Sequence, residues 1–197
     1  FVGIYYRFDT MMISWMKGEK EVGLYNAPYN IIMGLSIVSS SFLQSVFPNI
    51  SRFFKDSIPK LIKGFKRSLI FMGISGLTIA TVGTIFAKQI IYLIYSSAYS
   101  ESVVTFKILI WSLFFIFLSS TTGVTLNAMD KQKWSLISTT SMAVINIVLN
   151  YFLIKSLGIN GAAITNVITY LYGFILMGTV CLITINKKRG NYESQPH

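Results

Sequence analysis

Asp9 is the residue with the most chemistry to offer here, because it stands inside a run of apolar residues. A carboxylate at the centre of a lipid bilayer costs ~2.5–3.5 kcal/mol even on lenient insertion scales, so it needs a partner, water or a bound cation. Arg7 lies two residues earlier, and side chains at i and i+2 leave a helix on opposite sides, so the two cannot simply neutralise each other. The Arg7 guanidinium is a planar fork suited to phosphate oxygens, and Asp9 can hold a proton or a cation, or accept from a hydroxyl. Asn30, Asn146 and Asn150 lie in other apolar runs. Their neutral donors and acceptors suit a ligand rich in hydroxyls. They serve equally as interhelical hydrogen-bonding groups worth ~1 kcal/mol each. Both readings stay open.

A second set of residues is basic. Lys60, Lys63, Lys66 and Arg67 fill one side of a short stretch whose other side is Ile58, Leu61, Ile62 and Phe65. This predicts an amphipathic helix lying on the inner leaflet, capped by Ser57 and with Pro59 in its first turn. Its lysines fix topology and contact anionic lipid headgroups or a diphosphate.

Enzymatic groups do not assemble. The acidic residues Asp9, Glu19, Glu21, Asp56, Glu101, Asp130 and Glu193 are scattered, and only Glu19 and Glu21 are close. The one His is the last residue, His197, and the one Cys, Cys181, sits inside an apolar run. The sequence therefore predicts no enzyme, no metal and no cofactor.

The elements that must position these residues are six apolar runs, at about 1–16, 24–50, 67–87, 104–127, 134–155 and 161–186. A bilayer core is about 30 Å thick and takes ~20 apolar residues of helix to cross. Backbone groups in lipid must be satisfied within the segment, so each run is a helix. Hydrophobic residues make up 53% of the chain and charged residues 12%, the latter about half the ~25% of soluble domains. The fold class is all-α, a polytopic transmembrane bundle of six spans followed by a basic tail, 187–197.

Charge gives the orientation. Loop 2 and its flanks (Arg52, Lys55, Lys60, Lys63, Lys66, Arg67), loop 4 (Lys131, Lys133) and the tail (Lys187, Lys188, Arg189) hold eleven of seventeen basic residues. The other side has Lys17, Lys20, Lys88, Lys107 and Lys155, diluted by Glu19, Glu21 and Glu101. The positive-inside rule places the first group, and both ends of the chain, in the cytoplasm. Basic residues gathered in alternate loops also argue that the net charge of +10 serves the membrane and not nucleic acid. Lys88–Tyr95 reads as an external interfacial segment, with Tyr92, Tyr95 and Tyr99 as belt aromatics.

Small and polar residues form stripes within the spans. Gly73, Gly76, Ala80 and Gly83 share a face of the third, which predicts a close helix contact. Further stripes are Asn30/Gly34/Ser41/Ser45, Thr139/Ala143/Asn146/Asn150 and Asn166/Tyr170/Gly173/Met177. They read either as interhelical glue or as the lining of a wetted cavity.

Five segments in order carry a family resemblance: "RFDTMMIS", "GEKEVGLYNAPYNI", "VFPNISRFF", "LNAMDKQKW" and "LNYFLIKSLGINGAAITNVITYLYG". Together they resemble the C-terminal half of a polysaccharide-biosynthesis flippase of the Wzx type, in the superfamily of multidrug, oligosaccharidyl-lipid and polysaccharide exporters. The resemblance implies one six-helix lobe of a two-lobed transporter around a central cavity, with an N-terminal lobe upstream in the same polypeptide. The chain starts Phe-Val-Gly without a Met, which fits that expectation. It further implies that a polyprenyl-diphosphate-linked oligosaccharide is flipped across the cytoplasmic membrane, with Arg7 and Asp9 facing the cavity. The alternatives are a cation-coupled multidrug exporter on the same fold and a self-contained six-span protein. Basic inner loops favour the lipid-linked substrate.

Overall fold

The computed structural model describes residues 8–193, all of whose regular structure is helical. The helices are α1 (Phe8–Lys17), α2 (Glu19–Asp56), α3 (Ile58–Ile85), α4 (Ala87–Tyr95), α5 (Ser102–Ala128), α6 (Gln132–Leu157) and α7 (Ile159–Glu193), with a 3₁₀ turn at Ser97–Tyr99. Five of them, α2, α3, α5, α6 and α7, are long and apolar enough to cross a membrane. Of the expected first span, 1–16, α1 covers the second part; residues 1–7, Arg7 among them, lie outside the described residues. The chain is a multi-pass membrane protein.

α5 is the axis of the bundle. Its apolar residues and small buried hydroxyls are spread round the helix with no distinct polar face, as suits a helix enclosed by others, and it packs on α7, α2 and α3. Phe106, Leu109, Ile110, Leu113 and Phe117 are all but inaccessible. The small-residue face of α3 meets α5, as its spacing predicts. A Cβ on Gly76 would stand 3.1 Å from the Phe114 Cα, and one on Gly83 would stand 2.8 Å from Ile110 Cγ1.

α1 and α2 form an antiparallel hairpin across Gly18, whose φ of +92° suits a residue without a Cβ. α2 continues through two prolines, Pro28 and Pro48. A proline inside a helix leaves the carbonyl four residues earlier without its N–H. For Pro28 that carbonyl is Leu24, and the Ser102 hydroxyl at the start of α5 donates to it at 2.7 Å. A side chain from the axial helix thus repairs the break.

Three sequence expectations need correction. The amphipathic stretch after Ser57 is not a separate surface helix but the first turns of α3, which runs unbroken from Ile58 to Ile85. Its faces are as expected, with Ile58, Leu61 and Phe65 buried and Lys60, Lys63, Lys66 and Arg67 exposed. Ser57 sits at the N-cap position, but its side chain makes no capping bond. Finally, α7 carries on through Lys187, Lys188 and Arg189, so the tail begins as helix. Helical hydrogen bonding does not stop where hydropathy falls. The Lys88–Tyr95 segment is a helix of its own, α4.

Contacts sort the loops into two ends. Lys20 pairs with Glu101 at 3.2 Å, and Lys17 donates to the Lys155 carbonyl. At the opposite end Lys188 donates to the Phe54 carbonyl. This division is the one that the charge count makes.

Candidate functional site

Asp9 is 5% exposed, near the start of the described part of α1. Its carboxylate is met by side chains from three other helices. The Tyr25 phenol of α2 donates to Oδ2 at 2.9 Å. Asn166 of α7 donates to the same oxygen at 2.6 Å, and Asn150 of α6 donates to Oδ1 at 2.5 Å. A second shell of bonds fixes these donors. Asn150 Nδ2 also donates to Asn146 Oδ1 at 3.0 Å, and Asn166 Nδ2 lies 2.8 Å from the Tyr25 oxygen. One residue further along each helix, Thr10 donates to Asn26 Oδ1 at 3.0 Å.

The geometry follows from local rules. In the α1–α2 hairpin the chain folds back on itself at Gly18, which brings residues sixteen apart together, Asp9 against Tyr25 and Thr10 against Asn26. Asn146 and Asn150 are four apart on α6 and share a face. Asn166 is placed by the short α6–α7 connection at Gly158. There α7 folds back so closely that a Cβ on Gly161 would stand 2.0 Å from the Leu153 carbonyl oxygen.

Every donor to Asp9 is neutral, and among the described residues no basic side chain lies within ion-pair distance of it. The site can therefore hold a buried negative charge, or exchange it for a proton or small cation. One acceptor is left over: the Asn150 Oδ1 is buried without a hydrogen-bond partner. Among the described residues, no group of three or more His, Cys, Asp or Glu could hold a metal ion.

A second concavity, about 390 Å³, lies between α2, α5, α6 and α7 on the side of the positively charged loops. Hydroxyls and amides dominate its polar lining, from Ser40, Gln44, Ser119, Asn127, Ser135 and Thr139, with Phe47 and Tyr170 as aromatic walls. It does not contain Asp9. Its Met142 and Tyr170, however, stand one helical turn from Asn146 and Asn166.

Of the residues singled out in the sequence, Asp9, Asn146 and Asn150 come together. Asn30 does not: it is exposed, on a different flank of α2 from Tyr25. The stripe of Asn30, Gly34, Ser41 and Ser45 is exposed throughout, so it is not glue within this bundle. Lys60, Lys63, Lys66 and Arg67 are remote from the cluster, on the exposed face of α3. Tyr25 and Asn26 were missed as site residues, and Asn166 was read only as part of a stripe. Reflection about Gly18 pairs Thr10 with Asn26 and sets Asp9 opposite Ala27, two residues from Tyr25, so it was a signal for the stretch and not for each partner.

The MatE family profile matches residues 1–152. The chain belongs to the MatE family. This MatE chain is 26% identical over 163 residues to a putative O-antigen transporter of Shigella flexneri, a match that takes in 80% of the chain and 38% of the relative. Two solved structures share the MatE fold. A multidrug resistance MATE transporter of the MOP superfamily, in an outward-facing conformation, superposes with a TM-score of 0.86 at 17% identity, over 95% of this chain and 43% of that one. A MATE point mutant gives 0.82 at 18% identity, over 94% and 43%. The chain thus spans about two fifths of the length of these relatives, and its fold is that of one part of a MATE transporter of the MOP superfamily.

Proposed function

We propose that this MatE chain serves as one lobe of a transporter that moves a lipid-linked oligosaccharide across the cytoplasmic membrane. The observation that carries the reading is the buried Asp9 carboxylate, held by neutral side chains of α2, α6 and α7. A charge kept at such expense in a membrane bundle is a functional site by default. One helical turn away lies a cavity whose hydroxyls and amides can meet sugar hydroxyls and whose aromatic walls can stack on a sugar ring, among the apolar Leu43, Val124, Met142 and Met177. The relative with O-antigen in its name supports the same substrate class.

In the mechanism, this lobe and a second one rock about a site near the midplane, giving alternating access. Asp9 binds and releases the coupling proton or cation, while Asn146 and Asn150 follow its charge state through their shared hydrogen bonds. Arg7 offers its guanidinium to a diphosphate oxygen of a polyprenyl-diphosphate carrier. Asn30, on the exposed polar stripe of α2, faces the substrate path. Lys60, Lys63, Lys66 and Arg67 meet headgroups of the inner leaflet. No cofactor and no catalytic step enter.

The test is glycan export in cells that depend on the complete protein. Asp9→Asn is expected to lower export at least about tenfold, equivalent to ~1.4 kcal/mol, with the protein still present in the membrane. Arg7→Ala is expected to do the same. Unchanged export in both would sink the site reading. A second reading, cation-coupled drug export, draws on the same buried carboxylate. It predicts that loss of the protein raises drug sensitivity while glycan assembly continues.

A further inference from the structure

The end of α7 makes a groove that the transport reading leaves unused. It lies between Phe54 near the end of α2, Lys131 in the α5–α6 turn, Trp134 in the first turn of α6, and Lys187 and Lys188 of α7, and it encloses about 500 Å³. Three features define its chemistry. Its charge is positive: Lys131, Lys187 and Lys188 converge on one space, and the carboxylates nearest in sequence, Asp56 and Asp130, neither line it nor pair with these lysines. Its frame is built: the Lys188 ammonium donates to the Phe54 carbonyl and stands 3.6 Å over the Phe54 ring, which fixes one wall. Its third wall is apolar: Val180, Ile183 and the half-exposed Trp134 lead from the lysines towards the part of the bundle that lipid covers.

A cluster of ammonium groups at the membrane surface, continuous with an apolar strip and flanked by an indole, is complementary to a phosphate with acyl chains attached. Basic pockets between transmembrane helices on the cytoplasmic side bind anionic headgroups in this way, and tryptophan favours the headgroup level. We propose that this groove binds one anionic glycerophospholipid of the inner leaflet. Lys131 and Lys187 hold the phosphodiester, Lys188 braces the wall, and an acyl chain lies along Ile183 and Val180. A water-soluble anion would use the lysines but gain nothing from the apolar strip, and for that reason the lipid is favoured. The site shares no residue with the Asp9 cluster, so it stands whether or not the transport reading does.

Trp134 supplies a local reporter. In the full-length protein with every other tryptophan changed to phenylalanine, reconstituted in phosphatidylcholine nanodiscs, brominated phosphatidylglycerol is titrated against brominated phosphatidylcholine. Preferential quenching of Trp134 by phosphatidylglycerol is expected, with apparent affinity falling about fivefold for each of Lys131→Gln and Lys187→Gln, the share of one lysine near an anionic surface. Lys133→Gln removes one charge on the same side, from an exposed residue outside the groove lining, and is expected to leave the preference intact. Equal quenching by the two lipids overturns the proposal, as does an equal loss in the Lys133→Gln control. Reversal of the quenching by millimolar inorganic phosphate would make the groove a free-anion site. Reversal by a polyprenyl diphosphate would make it a carrier site; either result overturns the phospholipid assignment. Both lysines are exposed, so the variants disturb no core packing.

Discussion

The two oxygens of Asp9 are treated differently by their surroundings. Oδ2 receives two donors, from Tyr25 and Asn166, and Oδ1 receives one, from Asn150. Hydrogen bonds to a charged group are worth about 1.5–3 kcal/mol each, so Tyr25→Phe is expected to lower the unfolding free energy by about that much. If the bond is what matters, the loss shrinks in an Asp9→Asn background, and the double-mutant cycle gives a coupling of ~1 kcal/mol or more. Denaturant titration in detergent measures both. A coupling near zero would show that the phenol only fills space. At this scale the sequence was partly legible. An intramembrane carboxylate declares itself, and the four-residue spacing of Asn146 and Asn150 puts both on one face. Asn30 failed for a geometric reason. It is five residues from Tyr25, about 140° round a helix of 3.6 residues per turn, so both cannot point at Asp9. Tyr25 went unnoticed because a tyrosine at a membrane edge is usually a belt residue, and nothing in composition separates the two roles.

Among the elements, α2 depends on a neighbour for its integrity. Ser102→Ala would strand the Leu24 carbonyl, which Pro28 cannot satisfy, at a cost of about 1–3 kcal/mol. In a Pro28→Ala background the helix regains its own N–H, and the same change is expected to cost much less. A loss of equal size in both backgrounds would mean that Ser102 acts through packing alone. The α6–α7 connection is a second point of dependence. Gly161→Ala forces a Cβ onto the Leu153 carbonyl, with an expected loss of about 1–3 kcal/mol from overpacking. Gly23→Ala meets nothing within 4 Å, and is expected to be neutral or to gain up to ~1 kcal/mol of helix propensity. Thermal stability of the purified variants separates these outcomes. Hydropathy located the long helices but not their ends. α2, α3 and α7 all run past their apolar runs, because backbone hydrogen bonds continue until a breaker such as Gly18, Ser57 or Gly158 intervenes. No breaker separates Arg67 from Ser68, so the expected surface helix merges with the span after it.

The molecule as a whole has a charged end and a diluted end, and the orientation assigned from them is testable. In a Cys181→Ser background, Ser97→Cys is expected to react with a membrane-impermeant maleimide on intact cells, and Lys133→Cys only after permeabilisation. The reverse pattern would invert the topology. Both positions are exposed, so a lack of access would report the membrane and not the fold. The all-helical, multi-span architecture was legible because lipid leaves the backbone a single open choice; what the helices enclose was not, because it depends on which faces meet. One consequence concerns leverage. Pro28 lies less than a turn from Tyr25, so the N-terminal end of α2 is anchored at Asp9 by a hydrogen bond while the rest runs along α5 as far as Asp56. That arm is 28 residues, roughly 42 Å at 1.5 Å per residue. Prolines are where helices bend, and a change of about 10° at Pro28 would carry the far end through roughly 7 Å. Such a sweep is wide enough to open or shut the groove at Phe54, so a fraction of an ångström at the buried carboxylate is geared up to a displacement the size of a lipid headgroup.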